Sequence, residues 1–137
     1  MIKGIGVDTT KICDISRIME EEGLSSSFIR YTFTQAEQLE GAERPQPADY
    51  FASRFAAKEA VFKAVARLLP EKTFDLRIVE TLNAEDGSPY VNIDGKLRPI
   101  LDSAGIDVLH ISITSEDDRV TAFVISESKR PEENGIN

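Results

Sequence analysis

The sequence predicts an α+β domain in which one long central helix and several short helices pack on an antiparallel sheet. The first observation is the order of the patterns, because helical periodicity dominates the first half of the chain and strand alternation most of the second. The second is that short turns separate the paired strand patterns, as in antiparallel hairpins. The third is the length of 137 residues, which is the size of one ordinary domain.

The chain begins with an alternating pattern that predicts a strand over residues 1–7. One face of this strand carries long side chains, which are Lys3, Ile5 and Val7. The other face is almost bare of side chains, because it consists of Gly4, Gly6 and Asp8. A carboxylate at the end of such a face has open space around it.

Three short helices are predicted next. Asp14 is the expected N-cap of the first, which Gly23 ends. The second begins at residues 25–27. Thr34 and Glu37, three residues apart, match a capping box and begin the third helix.

The longest helix is predicted for residues 47–69, and Pro70 ends it. At about 100° per residue, three aromatic side chains form one narrow stripe along it: Phe51, Phe55 and Phe62. Small residues lie on another side, where a backbone or a ligand can approach: Ala56, Ala57, Ala60 and Ala64. The charges fall into two patches at the edges of the stripe, Arg54 with Lys58 and Glu59 with Lys63. A helix of this kind is covered on most sides, so we expect its charges to have specific partners.

The second half reads as two hairpins with a short helix between them. The predicted elements are a strand over 74–82, a turn over 85–88, a strand over 90–93, a helix ending near Gly105, and strands over 107–114 and 120–126. We therefore expect a single domain over residues 1–128, followed by a polar tail over residues 129–137.

Composition excludes several classes of function. A net charge of −8 argues against binding to nucleic acid or to an anionic membrane surface, because both need a basic protein surface. No apolar run approaches the roughly 18–20 residues that a membrane helix requires. The single cysteine, Cys13, cannot form an intrachain disulfide, and no signal peptide pattern opens the chain. A cytoplasmic protein is expected.

Two carboxylates and three cations suggest a site for a metal and a polyphosphate. Asp8 and Glu59 together suit Mg²⁺, which proteins usually hold with one or two carboxylates plus waters and substrate phosphates. The cations that a polyphosphate needs are Arg54, Lys58 and Lys63. Two simpler interpretations stay open: Glu59 and Lys63 as an ordinary surface pair four residues apart, and Asp8 as a turn or capping residue.

The last hairpin adds a row of polar side chains. His110, Ser112 and Thr114 share one strand face, opposite Ile111 and Ile113. A lone histidine in a strand is most often a hydrogen-bonded structural residue, but three polar groups in a row favour a face that lines a site.

Several motifs, in order along residues 2–127, resemble the bacterial holo-acyl-carrier-protein synthases. The first is Gly4-Ile-Gly-Val-Asp8, with Arg17-Ile18 after it, and the most specific is Arg54-Phe-Ala-Ala-Lys-Glu-Ala60, continued by Lys63-Ala64. Three further matches are Arg30-Tyr-Thr-Phe-Thr34 with Glu37, Gly87-Ser-Pro89 and His110-Ile-Ser-Ile-Thr114. The resemblance implies a 4′-phosphopantetheinyl transferase that moves the phosphopantetheine arm of coenzyme A (CoA) to a serine of an apo acyl carrier protein, releasing adenosine 3′,5′-bisphosphate.

The resemblance also implies roles for individual residues. Asp8 and Glu59 would hold Mg²⁺, and Lys63 would face the phosphate and stabilise the leaving group. Arg54 and Lys58 would contact CoA, and the residues lining its nucleotide end would be Pro89, Ser112 and Thr114. Glu59 or a metal-bound water would take the proton of the acceptor serine. The family is commonly trimeric, with each active site between neighbouring subunits.

The carrier protein would dock near the first helix, at Arg17, Met19, Phe28 and Arg30. The sequence departs from the family pattern in three places. The family's glycine-rich loop after Lys63 is absent and Ser115 stands where a histidine is usual, and both departures bear on CoA binding. The first helix carries acidic residues at 20–22 where many relatives are basic, which bears on carrier docking. The missing loop and the acidic helix support an alternative, a catalytically impaired CoA-binding or assembly module of the same family.

Overall fold

The computed structural model describes residues 1–129, so residues 130–137 of the expected polar tail lie outside the described chain. Five helices and five strands are described: β1 (Ile2–Lys11), α1 (Ile12–Glu22), α2 (Ser27–Thr32), α3 (Gln35–Glu43), α4 (Pro47–Val65), β2 (Thr81–Asn83), β3 (Pro89–Val91), α5 (Arg98–Ala104), β4 (Val108–Glu116) and β5 (Arg119–Glu127). The expected α+β class is confirmed. None of the described helices is long and apolar enough to cross a membrane. The boundary of the domain at residue 128 stays a prediction.

All strand pairing is antiparallel in the described chain, as expected. The larger sheet has the order β1-β5-β4, and β2 pairs only with β3 in a separate two-stranded sheet. In the larger sheet Asp8 lies opposite Ala122, and Ser112 lies opposite Phe123. Cross-strand partners share a face, so this register decides which side chains face α4.

The bare face of β1 receives the small-residue side of α4. A β-carbon added at Gly6 would lie 1.9 Å from the carbonyl oxygen of Ala60, and one at Gly4 would lie 2.2 Å from that of Ala64. Only glycine leaves room for two backbones to approach so closely. The alternation seen at residues 1–7 therefore encodes a helix–strand contact, and it places Asp8 beside α4.

Helix α4 lies between two hydrophobic clusters. One packs it against the sheet and α5, and its fully buried members include Val61, Leu101 and Val124. The other packs its first half against α1 and α2 through Phe51, Phe33 and Ile15. Burial on most sides confirms that this helix is the centre of the domain.

Several boundaries differ from the sequence expectations. Strand β1 continues to Lys11, so Asp8 lies within it and not at its end. Asp14 lies inside α1 and does not cap it, because the backbone N–H of Ile12 instead donates to the Asp118 carbonyl, 2.8 Å away in the β4–β5 turn. Helix α4 ends at Val65, and a 3₁₀ turn follows over Ala66–Leu68. The strand expected over 74–82 is reduced to β2, because Asp75 caps a 3₁₀ turn by accepting from the Arg77 N–H at 2.8 Å.

Candidate active site

Strand β1 and helix α4 bring Asp8, Glu59 and Lys63 together, as the resemblance implied. The Lys63 ammonium lies 3.1 Å from Asp8 Oδ1 and donates to the Val7 carbonyl at 3.0 Å. Within residues 1–129 no salt bridge joins Glu59 to Lys63, so the ordinary surface pair four residues apart is not formed. Lys63 is half exposed while Asp8 is largely covered, so the site opens to solvent on the lysine side.

The carboxylate of Glu59 lies in surroundings that disfavour its charged form. Partial burial raises its pKa above the ordinary value, and the negative charge of Asp8 raises that pKa further. The Lys63 ammonium acts in the opposite direction. Two carboxylates that repel one another at the edge of a core are the usual setting for a bound cation or a proton-transfer group.

The donor set fits magnesium. Among residues 1–129 no cluster of three or more histidine, cysteine, aspartate or glutamate side chains could hold a metal ion. A metal at Asp8 and Glu59 would therefore have two protein carboxylates and would need phosphate and water oxygens for its remaining positions. Magnesium is commonly held in this way, and it neutralises phosphate charge when bound.

Arg54 lies at a cavity beside the start of α4. The residue is only 4% exposed, its guanidinium stacks over the Tyr50 ring with 4.8 Å to the centroid, and Nη2 donates to Asn83 Oδ1 at 2.9 Å. Its buried Nε has no hydrogen-bond partner within the described residues. The cavity, of about 350 Å³, is also lined by Arg44 and Ser115. Two guanidinium groups at one cavity make a site suited to an anionic group.

Lys58 corrects one expectation. We expected it to contact CoA, but its side chain is 0% exposed and its ammonium lies 2.7 Å from Glu37 Oε1. It also donates to the carbonyls of Leu76 and Val79, at 3.2 and 2.5 Å. All three of its donors are used inside the protein, so no part of Lys58 is available to a ligand. Helical spacing correctly placed Lys58 on the same edge of α4 as Arg54, but it could not show that α3 covers this edge.

The nucleotide-end residues are divided between two places. Pro89 lies in β3 directly opposite Asn83, the hydrogen-bond partner of Arg54. Ser112 and Thr114 point to the outer face of the larger sheet, because Ser112 pairs with the exposed Phe123 whereas Asp8 pairs with the buried Ala122. A single chain therefore does not bring Ser112 and Thr114 to the side of the sheet that holds Asp8 and Glu59.

The residues expected to meet a carrier protein lie on α1 and α2. Arg17 and Arg30 are exposed, whereas Met19 and Phe28 are half-buried. Phe28 packs edge-on against Phe55 of α4, with 5.1 Å between ring centroids. The acidic residues 20–22 are exposed at the end of α1, so this surface combines cationic, apolar and acidic groups.

Sequence reasoning missed Arg44 and Tyr50. The Arg44 guanidinium lies 5.1 Å from the centroid of the Tyr50 ring, on which Arg54 also stacks. Arg44 follows α3 in a short loop that contains Pro45, and no periodicity marked it. The only available signal was a cation a short distance before Arg54, which is too common to be informative.

Comparisons with known proteins identify the family of the chain. The family model of the 4′-phosphopantetheinyl transferase superfamily matches residues 4–124. The chain is similar to the holo-[acyl-carrier-protein] synthases of Maridesulfovibrio salexigens (36% identical, covering 93% of this chain and 99% of the relative) and Thermodesulfovibrio yellowstonii (35%, covering 91% and 98%). A crystal structure of the holo-[acyl-carrier-protein] synthase from Neisseria meningitidis superposes with a TM-score of 0.80 at 31% identity, covering 93% of this chain and all of that chain. The chain belongs to the 4′-phosphopantetheinyl transferase superfamily, within its holo-[acyl-carrier-protein] synthases.

Proposed function

We propose that this holo-[acyl-carrier-protein] synthase transfers 4′-phosphopantetheine from CoA at a magnesium site formed by Asp8 and Glu59. The serine of an apo carrier protein attacks the phosphorus that bears the pantetheine arm. The bond from this phosphorus to the bridging oxygen breaks, and adenosine 3′,5′-bisphosphate leaves. The observation that carries the proposal is the convergence of Asp8, Glu59 and Lys63 from a strand and a helix far apart in sequence.

Each group has a role that its surroundings support. Phosphoryl transfer asks the protein mainly for positioning and charge neutralisation, which a bound magnesium ion and the Lys63 ammonium supply. Lys63 is exposed enough to leave Asp8 and stabilise the charge that develops on the leaving phosphate. The raised pKa of Glu59 makes its carboxylate a stronger base, so it is a candidate to accept the serine proton. The acceptor supplies the nucleophile.

The CoA nucleotide is assigned to the cavity beside Arg54. Arg44 favours an anionic group there, as does the Nε of Arg54, which has no partner among residues 1–129, and the 3′-phosphate of CoA is such a group. Pro89 is connected to this cavity only indirectly, because its strand partner Asn83 accepts a hydrogen bond from Arg54. Ser112 and Thr114 face outward and would contribute to the site of a neighbouring copy.

An exposed apolar surface supports this shared-site arrangement. Ile5, Val7 and Phe123 lie on the outer face of the sheet and are 55%, 40% and 46% exposed. Contiguous exposed apolar side chains on a folded domain usually mark an interface. We assign this face to self-association, as a trimer by analogy with the family, with the Ser112 row of one copy beside the Asp8 face of the next.

Phe123→Glu should make the protein monomeric and should also lower the rate of phosphopantetheine transfer. A carboxylate at the centre of an apolar interface would lose its hydration without gaining a partner, so association would weaken. We expect a monomer by light scattering coupled to size exclusion, and transfer reduced by about tenfold or more because half of the site is lost. Glu127→Gln, at the rim of the sheet, is the control. Wild-type transfer by a monomeric Phe123→Glu variant would contradict the shared site.

The function itself has a direct test. Wild-type protein is incubated with CoA, Mg²⁺ and a panel of apo carrier proteins, and intact-mass spectrometry reads the added arm. We expect a mass increase on at least one carrier, dependent on both CoA and metal. CoA binding by calorimetry without transfer to any carrier, including carriers from the same organism, would favour the alternative of an impaired CoA-binding or assembly module.

The choice of carrier and the cytoplasmic location stay predictions. Arg17, Met19, Phe28 and Arg30 are proposed as the docking surface, and the exposed acidic residues 20–22 beside them would repel a strongly acidic carrier. Carriers of lower negative charge are therefore the better first members of the panel.

A further inference from the structure

A polar network, buried at Glu37 and Lys58 and partly exposed at Glu40, joins three elements beside the assigned CoA cavity. Its members are two carboxylates of α3, two cations of α4 and two polar residues of β2: Glu37, Glu40, Arg54, Lys58, Thr81 and Asn83. Segments of the chain up to 44 residues apart thus meet through hydrogen bonds.

The centre of the network is the Glu37–Lys58 pair. Both side chains are almost completely buried, at 1% and 0% exposure, and their charged atoms lie 2.7 Å apart. Glu37 Oε1 also accepts from the Thr34 N–H at 2.9 Å, and Oε2 accepts from the backbone N–H and the hydroxyl of Thr81 at 2.9 and 2.5 Å. The two remaining donors of Lys58 go to carbonyls of the 76–79 segment. Every polar atom of the pair is therefore satisfied.

The second half of the network passes through Asn83. Its side-chain oxygen accepts from Arg54 Nη2 at 2.9 Å, and its side-chain nitrogen donates to Glu40 Oε1. Glu40 is also held by Arg44 at 2.9 Å and by the Tyr50 hydroxyl at 3.2 Å. Both arginines of the CoA cavity are thus tied to β2 or α3.

A buried ion pair is a poor way to gain stability, because an apolar pair of similar volume is often as stable or more stable. A fully satisfied pair such as Glu37 and Lys58 does something that apolar packing does not, since its hydrogen bonds fix direction and spacing. Here the fixed elements are α3, β2 and the face of α4 next to Glu59.

We propose that Lys58 and Glu37 are positioning residues that hold the β2–β3 hairpin against α4 and thereby set the affinity for CoA. The hairpin carries Asn83 and Pro89, and α4 carries Arg54 and Glu59, so the network fixes the distance between the nucleotide cavity and the reacting phosphate. The inference rests on the CoA site proposed above.

The test removes both charges at once. Glu37→Gln/Lys58→Met keeps a residue suited to the capping box and an unbranched side chain of similar length, and it leaves no buried charge unpaired. We expect a folded protein whose Kd and KM for CoA rise by about tenfold while kcat per folded molecule changes little. A purely structural pair would instead give wild-type CoA affinity once the protein is folded, which would overturn the proposal.

Two further variants make the result independent of folding losses. Leu101→Ala, in the apolar cluster beside α5, lowers stability without touching the network, and its KM for CoA should equal that of wild type. Thr81→Val removes only one hydroxyl donor to Glu37 and should raise the Kd for CoA by about threefold. Unchanged affinity in Thr81→Val would count against the network even if the double variant failed to fold.

Arg54→Ala separates this inference from the proposed function. If Arg54→Ala bound CoA more weakly while Glu37→Gln/Lys58→Met bound it like wild type, the CoA site would stand and only the positioning role would be rejected. Unchanged binding by Arg54→Ala would instead reject the CoA site.

Discussion

Glu59→Gln is expected to abolish transfer while it raises the stability of the fold. The substitution removes one of the two carboxylates proposed to hold magnesium and the candidate base, so kcat/KM should fall by about 10³-fold or more. It also removes a partly buried charge that Asp8 repels, so the melting temperature should rise by about 2 °C at neutral pH. Transfer is read by mass spectrometry and stability by calorimetry.

The sign of the pH dependence follows from the raised pKa of Glu59. The folded protein holds the Glu59 proton more tightly than the unfolded chain does, so ionisation of this group costs folding free energy. At a pH below the pKa of Glu59 in the unfolded chain, wild type and Glu59→Gln should be equally stable. The advantage of the variant should appear as the pH rises through the folded pKa, whereas wild-type transfer should fall as the pH drops through it.

Magnesium gives an independent readout for the same pair of carboxylates. Added Mg²⁺ should raise the melting temperature of wild type by mass action but not that of Asp8→Asn or Glu59→Gln. Glu71→Gln changes an exposed carboxylate in a loop. It should behave like wild type in transfer, in melting temperature and in the thermal shift caused by Mg²⁺. A thermal shift of equal size in wild type and both site variants would exclude a metal site at Asp8 and Glu59.

Gly6→Ala is expected to have the largest effect on folding. The added β-carbon would lie 1.9 Å from the Ala60 carbonyl oxygen, and that atom belongs to the backbone of the central helix. A strand and a helix must separate to make room, so the free energy of unfolding should fall by about 3 kcal/mol or more. Chemical denaturation monitored by circular dichroism measures the change.

Gly105→Ala is the matched control for this substitution. Gly105 has a left-handed backbone with a φ of 73°, but among the described residues a β-carbon there would meet nothing within 4 Å. Only the cost of a left-handed conformation remains, about 1 kcal/mol. If Gly6→Ala were no more destabilising than Gly105→Ala, the close approach of β1 and α4 would not exist in solution.

The α+β class and most helix starts could be predicted because their signals are local. The capping box of Thr34 and Glu37 forms as expected, with Glu37 N–H donating to Thr34 Oγ1 at 3.2 Å and Thr34 N–H donating to Glu37 Oε1 at 2.9 Å. The start of α1 could not be predicted, since its first N–H bonds to Asp118, which is more than one hundred residues away. A propensity pattern contains no information about such a partner.

The candidate site was predictable only in part, for the same reason. Motif and periodicity identified Asp8, Glu59 and Lys63, because strand alternation puts Asp8 on the glycine face of β1 and helical spacing puts Glu59 and Lys63 on one edge of α4. The burial of Lys58 depends on α3 and β2 folding over its edge of α4, and the separation of Ser112 from Asp8 depends on the strand register.

The sequence by itself determined that this chain is an α+β domain with a glycine-faced strand and one long helix, and it predicted the carboxylates that we propose for a magnesium–phosphate site. These features follow from period, capping and residue chemistry, which act over a few residues. The tertiary structure alone decided which charges are buried in pairs and which remain available to a ligand. Desolvation and hydrogen-bond satisfaction are set by neighbours from distant parts of the chain, and for this reason Lys58 became a structural partner of Glu37 while Lys63 stayed in the site.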